Sequence, residues 1–194
     1  MPELTIRQQK QVLRKRMRVL RDAITPEQRR AWSARICARV LASSAYQQAR
    51  VIHCYLPIRS EVDPRSIVEH AFAHGKRVAI PLWQAHTDET HVCEIDTLSD
   101  DAFEVDAMGL RIPRRRVLLP PGEIDLVLVP LLAFAPSPGT PEEGYVRLGY
   151  GAGFYDRFLR RTQARRVGLA FALQQVDTLP QAETDTLLDD VITE

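Results

Sequence analysis

Three glycines at alternate positions, Gly149, Gly151 and Gly153, stand between Arg147 and Asp156 in the run R-L-G-Y-G-A-G-F-Y-D. Glycine lets backbone approach a bulky anion closely, and a helix opening just after it aims unpaired N–H groups at that anion. The chemistry this suggests is phosphate binding. A P-loop would need G-x-x-x-x-G-K-[ST], and no Lys-Ser or Lys-Thr follows Gly153; a dinucleotide fingerprint would need G-x-G-x-x-G. The flanking charges add to the phosphate reading. Arg147 can offset phosphate charge, and Asp156 can hold a divalent ion bridging phosphate oxygens. A glycine-rich turn kept for helix packing is the competing reading.

Other candidates lie far away in the chain. Lys10 and Arg14 belong to a basic stripe, Arg7, Lys10, Arg14, Arg18 and Arg21, repeating at steps of three and four. It lies about a quarter turn from the apolar stripe Ile6, Leu13, Met17, Leu20 and Ile24. Docking of the apolar stripe would leave Lys10 and Arg14 on the rim of a groove, as phosphate ligands or as ordinary snorkelling cations. Glu61 follows an expected strand, where open α/β sheets bind ligands, and its carboxylate suits two adjacent N–H donors of a heterocycle; a surface acid before a helix is the alternative. Asp189 or Asp190, in L-L-D-D-V-I-T-E, could join Asp156 around Mg²⁺. His70 and His74, His53-Cys54 and His91-x-Cys93 lack the spacing of a zinc site, and no nucleophile elbow is present.

Positioning these groups requires alternating helices and strands. The patterns predict helices over 5–24, after the Thr25-Pro26-Glu27-Gln28 cap, over 63–74 with Gly75 as stop, and over 154–163. The second helix should bury Trp32, Ile36 and Val40. Strands are expected over 50–56, 78–82, 91–95, 125–132, 166–171 and 191–193, with 125–132 central in a parallel sheet. Residues 84–122 look irregular, with a basic turn at 111–116, and the proline-rich stretch 135–145 reads as a loop. The expected class is α/β with a mainly parallel sheet, one domain over residues 1–194.

Composition narrows the class further. A net charge of +1 argues against a dedicated nucleic-acid binder, although residues 1–35 carry ten Lys or Arg against three acids and residues 174–194 carry six acids and no base. Cys37, Cys54 and Cys93 form no C-x-x-C pair, which suggests reduced thiols and a cytoplasmic protein. The longest apolar run, 126–135, is far short of the ~20 residues of a spanning helix, so no membrane partner is expected.

Together the motifs resemble the 5-formyltetrahydrofolate cyclo-ligase family, also called methenyltetrahydrofolate synthetase. Its pattern is a helix with K-x-x-x-R, a strand followed by a glutamate, G-K-x-x-x-x-P, R-L-G-x-G-x-G-[YF]-Y-D and a final D-x-[VL]-[IV]-T-E. Here these are Lys10 and Arg14, Glu61, Gly75-Lys76 with Pro81, Arg147 to Asp156, and Asp189 to Glu194. The resemblance implies a three-layer α/β/α sandwich of the kind shared with CoA transferases and sugar-phosphate isomerases. It implies ATP-dependent conversion of 5-formyltetrahydrofolate to 5,10-methenyltetrahydrofolate, with release of ADP and phosphate, by a monomer acting on small molecules.

On that resemblance, Lys10, Arg14 and Arg147 would hold the ATP phosphates, and Gly149, Tyr150, Gly151, Ala152, Gly153, Phe154 and Tyr155 would wrap the nucleotide. Leu56, Glu61, Tyr150 and Phe154 would receive the folate, and Asp156 and Asp189 would carry Mg²⁺. No enzyme nucleophile is implied. The chain departs from the family where Phe134-Ala135 replaces the common F-D, where Thr184-Asp185 replaces a frequent His-Asp, and in Ala152. A paralogue with another substrate, a ligand-binding protein without turnover and a basic-helix RNA-associated module are the alternative functions.

Overall fold

A computed structural model describes residues 4–82, 89–106, 109–138 and 143–194. Its first two helices, α1 (Ile6–Asp22) and α2 (Pro26–Ala42), open with the same device. The Thr5 and Thr25 hydroxyls accept from the N–H groups of Gln8 and Gln28, whose side chains reach back to the cap N–H, so two orphan donors are satisfied at each start. A short α3 (Ser44–Gln48), capped by Ser43, follows α2. Then come β1 (Val51–His53), α4 (Arg65–Ala73) and β2 (Arg77–Leu82), with Gly75 at φ +67° ending the helix as its position predicted.

β3 (His91–Ile95) forms where a strand was expected, and the rest of the stretch read as irregular holds a hairpin of β4 (Phe103–Val105) and β5 (Arg111–Pro113) and the two-residue β6 (Val117–Leu118). Next is β7 (Leu126–Pro130). The expected loop 135–145 is instead flanked by a paired hairpin, β8 (Ala133–Pro136) and β9 (Tyr145–Leu148); residues 139–142 lie outside the described residues. The chain closes with α5 (Phe154–Leu159), β10 (Arg165–Leu169) and β11 (Asp190–Ile192). α5 stops four residues before its expected end, where the Thr162 hydroxyl accepts from Ala164 N and turns the chain into β10.

The main sheet has the order β11-β10-β7-β1-β2-β3-β6. It is parallel from β11 to β2 and antiparallel through β3 and β6. β7 is central, as its unbroken apolar run requires. Alternate residues feed opposite faces. Ile52, Val78, Ile80, Leu126, Leu128 and Val167 pack under α2, α3 and α4, while Val51, Ala79, Val127 and Val129 pack against Phe154, Phe158 and Leu159 of α5. The result is an α/β sandwich around a mainly parallel sheet.

α1 departs from its expected orientation. Met17 and Ile24 are buried, but Ile6 and Leu20 are exposed and Arg21 is almost completely buried. The docked face is therefore centred between the two stripes, rotated toward the basic one. The C-terminal ends of β1, β2 and β7 open beneath it, where ligand sites of open α/β sheets lie.

Candidate active site

A cavity of about 420 Å³ occupies that place. Its wall on the β1–β2 side is mostly apolar, with Tyr55, Leu56, Pro57 and Ile58 after β1 and Ile80 and Pro81 at the end of β2. Glu61 lines the same side. On the other side are Lys10 and Arg14 of α1, Arg147 of β9, the whole loop from Gly149 to Gly153, then Phe154, Tyr155 and Asp156 of α5, and Asp185. Residues from five segments far apart in the sequence thus converge on one cavity.

The glycine loop is shaped by its neighbours. Gly151 has φ +105°, and a side chain there would press within 3.2 Å of the Arg14 guanidinium. Arg14 Nε donates to Gly149 O at 2.9 Å, so α1 grips the loop directly. Gly153, at φ +71°, occupies the left-handed position that starts α5. At six residues α5 is too short to offer much dipole, so charge in this half of the cavity comes from side chains.

Those side chains form an alternating cluster. Arg147 Nη2 donates to Asp156 Oδ1 at 2.8 Å, and Lys10 Nζ is paired with Asp185 Oδ2. The Asp185 carboxylate also accepts from Ala182 N at 2.9 Å, and Asp156 accepts weakly from Thr186 N at 3.3 Å. Burial pushes the Arg147 guanidinium below its ordinary pKa, opposed chiefly by the Asp156 charge; Arg14 is pushed the same way by burial and held up by Asp185 and Asp156. Arg147 Nε is buried with no hydrogen-bond partner among the described residues, so this cation has donor capacity to spare. Three cations facing two acids suit a polyanion that brings its own divalent cation.

Asp189 is not part of this cluster. Its exposed carboxylate accepts from Arg166 N at 2.7 Å, and its own N–H donates to Arg166 O at 2.9 Å. β11 runs parallel to β10 with Val167 opposite Asp190, so Asp189 and Asp190 sit where both strands begin. The cavity lies at the other ends of the strands. Asp185, four residues earlier, is the carboxylate that enters it, and it was visible as the surviving aspartate of the family's His-Asp pair.

Glu61 is buried, with Oε2 accepting from Ile58 N at 2.9 Å. Burial raises its pKa above the ordinary carboxylate range, while the Ile58 N–H, the Arg21 charge and a hydrogen bond with Tyr150 pull it back. The Tyr150 hydroxyl is pushed up to about 12, first by burial and then by the Glu61 charge, and so stays a proton donor at neutral pH. Tyr155 presents its ring to the cavity and an edge to His53, whose centroid is 5.7 Å away. Sequence reading missed Tyr55, whose hydroxyl is bonded to Val62 O at 2.9 Å and which braces the loop carrying Glu61.

Comparisons with known proteins converge on one group. A model of the 5-formyltetrahydrofolate cyclo-ligase family matches residues 6–194. A probable 5-formyltetrahydrofolate cyclo-ligase of Caenorhabditis elegans is 27% identical, covering 97% of this chain and 94% of its own. The 5-formyltetrahydrofolate cyclo-ligase of Haemophilus influenzae is 28% identical over 95% and 97% of the two chains. Among solved structures, the 5,10-methenyltetrahydrofolate synthetase of Aquifex aeolicus superposes with a TM-score of 0.78 at 26% identity, over 94% of this chain and 88% of that one. The Mycoplasma pneumoniae enzyme of the same name shares the fold, with a TM-score of 0.72 at 24% identity over 95% and 98% of the chains. No helix among the described residues is long and apolar enough to cross a membrane. Since the family match runs from the first helix through the last strand and takes in every described cavity residue, this chain is an enzyme that belongs to the 5-formyltetrahydrofolate cyclo-ligase family.

Proposed function

We propose that the chain converts 5-formyltetrahydrofolate and ATP to 5,10-methenyltetrahydrofolate, ADP and phosphate. The observation that carries this reading is the division of one cavity into a charged half, Lys10, Arg14, Arg147, Asp156 and Asp185, and an apolar half containing buried Glu61. A nucleoside triphosphate fits the first and a flat heterocycle the second.

The formyl oxygen of an amide-like group is a poor leaving group. Transfer of the γ-phosphoryl group to that oxygen makes it one that can depart as phosphate. N10 of the same substrate then attacks the formyl carbon, loses its proton and closes the ring, so no enzyme nucleophile is needed. Catalysis reduces to holding the two substrates together and stabilising charge on the transferring group. Lys10, Arg14 and Arg147 would exchange their present carboxylate partners for phosphate oxygens. Asp156 and Asp185 are thereby freed, and as two hard oxygen donors beside the phosphate site they fit Mg²⁺, which would neutralise charge on the phosphate oxygens when bound. Glu61 would accept from adjacent N–H groups of the pterin edge, with Leu56, Tyr150 and Phe154 packing against the ring. The proposed active unit is a monomer acting on small molecules.

Purified protein supplied with Mg²⁺, ATP and 5-formyltetrahydrofolate should give ADP in step with the near-ultraviolet absorbance of the methenyl product. Neither signal appearing would refute the proposal. ATP binding by calorimetry without product would point to a binding protein instead.

A further inference from the structure

Among the described residues Arg21 is the largest fully buried side chain, with 1% of its surface exposed. A buried guanidinium is costly to desolvate and is commonly replaceable by an apolar residue, so its contacts should explain its presence. Each of its donor nitrogens reaches a different segment around the cavity. Nε donates to Ser60 Oγ at 3.1 Å on the loop after β1, Nη1 to Leu131 O at 3.2 Å just after β7, and Nη2 to the Tyr150 hydroxyl in the glycine loop. The same guanidinium carbon stands 5.5 Å from the Tyr150 ring centroid. The Ser60 hydroxyl, next to Glu61, donates its own hydrogen bond to Asp22 Oδ1.

We infer that Arg21 is a positioning residue of this site, tying the Tyr150 phenol and the Glu61 carboxylate into one preformed edge that receives the substrate's heterocycle. The inference rests on the cyclo-ligase reading above. A phenol has one proton to give. With Arg21 donating to the phenolic oxygen, that proton is left for Glu61, whose carboxylate and the Tyr150 phenol act on each other across the cavity edge. Ile58 N donates to the carboxylate at 2.9 Å. Glu61 is thus held in place while the Arg21 charge and the Ile58 N–H counter the effect of its burial, with remaining lone pairs available to N–H donors in the cavity.

Placement on α1 adds a second consequence. Arg21 lies seven residues after Arg14 and eleven after Lys10, on one face of a single helix. The cations that would meet phosphate and the cation that orders the heterocycle edge are therefore carried by one rigid element, which ties the two halves of the cavity together.

The groups acting on Glu61 are Arg21 and, through Ser60, Asp22 from α1, Tyr55 from the end of β1, Tyr150 from the glycine loop and Tyr155 from α5. Arg21 is the cation among them. Its loss leaves burial unopposed by positive charge, so Glu61 protonates at higher pH and its acceptor capacity disappears sooner on acidification.

The test uses the full chain, with binding of 5-formyltetrahydrofolate and of ATP measured separately and kcat/KM followed from acid to neutral pH. In Arg21→Met the Kd and KM for 5-formyltetrahydrofolate should rise roughly ten- to a hundredfold, the range of one or two lost charge-assisted bonds, with ATP affinity retained. The acid limb of kcat/KM should move to higher pH. Arg21→Lys should restore part of that movement. Tyr150→Phe removes the relay without emptying the guanidinium site, so it decides the matter even where Arg21→Met fails to fold: it should move the acid limb the same way and add little when combined with Arg21→Met. An acid limb unmoved in Tyr150→Phe, or equal losses of ATP and folate affinity, would overturn the inference. Wild-type protein without folate-dependent turnover would overturn the underlying reading instead.

Discussion

The two aspartates that compete for the metal role can be separated by one pair of substitutions. Asp185→Asn keeps the side-chain shape but removes its charge at a place where solvent screens little: the paired Lys10 and Asp185 side chains are only 12% and 13% exposed. The amide is a poorer ligand for a hard cation and leaves Lys10 without its counter-charge. Loss of one preorganised group that stabilises transferring phosphoryl charge costs on the order of 10²–10³ in kcat, about 2.7–4 kcal/mol. Asp189→Ala instead deletes an exposed bond to Arg166 N at the start of β10, worth about 1 kcal/mol. For a chain of this size that is a fall of roughly 2–4 °C in Tm with kcat unchanged. The assay is methenyl formation at saturating ATP and folate as Mg²⁺ is titrated, beside thermal denaturation of each variant. Asp185→Asn should be crippled and respond weakly to added Mg²⁺, while Asp189→Ala turns over normally but melts earlier. The reverse pattern, with Asp189→Ala inactive and Asp185→Asn near normal, would refute the argument from strand register.

Arg147→Met should lower kcat by roughly 10²-fold or more and weaken ATP binding in calorimetry, since it removes the buried cation with a spare donor at the glycine loop. His53 is fully buried, and burial lowers its pKa to about 3 against the weaker pull of backbone hydrogen bonds from its own residue and Leu128. The unfolded chain takes up this proton near pH 6.5 and the folded chain does not, so the histidine's contribution to stability is complete above that pH and is lost on acidification toward pH 3. Within that window it should account for about 1.4 kcal/mol per pH unit, and His53→Phe should flatten the decline of Tm with falling pH; an unchanged slope would show another group responsible. Gly144→Ala would place a Cβ 2.1 Å from Leu188 O in backbone at φ +94°, beside the Tyr145–Leu188 bridge, and should destabilise by about 3 kcal/mol or more in denaturant unfolding.

What was legible in the sequence follows the range of the forces involved. The cap at Thr25 and the stop at Gly75 depend on residues three or four apart and were legible, whereas the same capping box at Thr5 was passed over and Thr5 was read as the first helical residue. The β8–β9 hairpin depends on Phe134 pairing with Arg147 across thirteen residues, many of them proline or glycine, so local pattern read its flanks as loop. For α1 the apolar stripe was assumed to be the docked face. The cavity instead offers Arg21 three acceptors, Ser60 Oγ, Leu131 O and the Tyr150 hydroxyl, drawn from three distant segments, and these turn the helix toward its basic stripe. A helical wheel contains no term for acceptors supplied from elsewhere. The carboxylate pair shows the same limit at the finest scale. Four extended residues cover about 13 Å, enough to pass from the cavity end of a short strand to its far end. Asp185 and Asp189 are near in sequence but belong to opposite ends of the sheet, and only the pairing of β11 with β10, Val167 beside Asp190, says which of them faces the cavity. An acidic tail therefore announces candidate carboxylates more readily than it says which of them reaches the cavity.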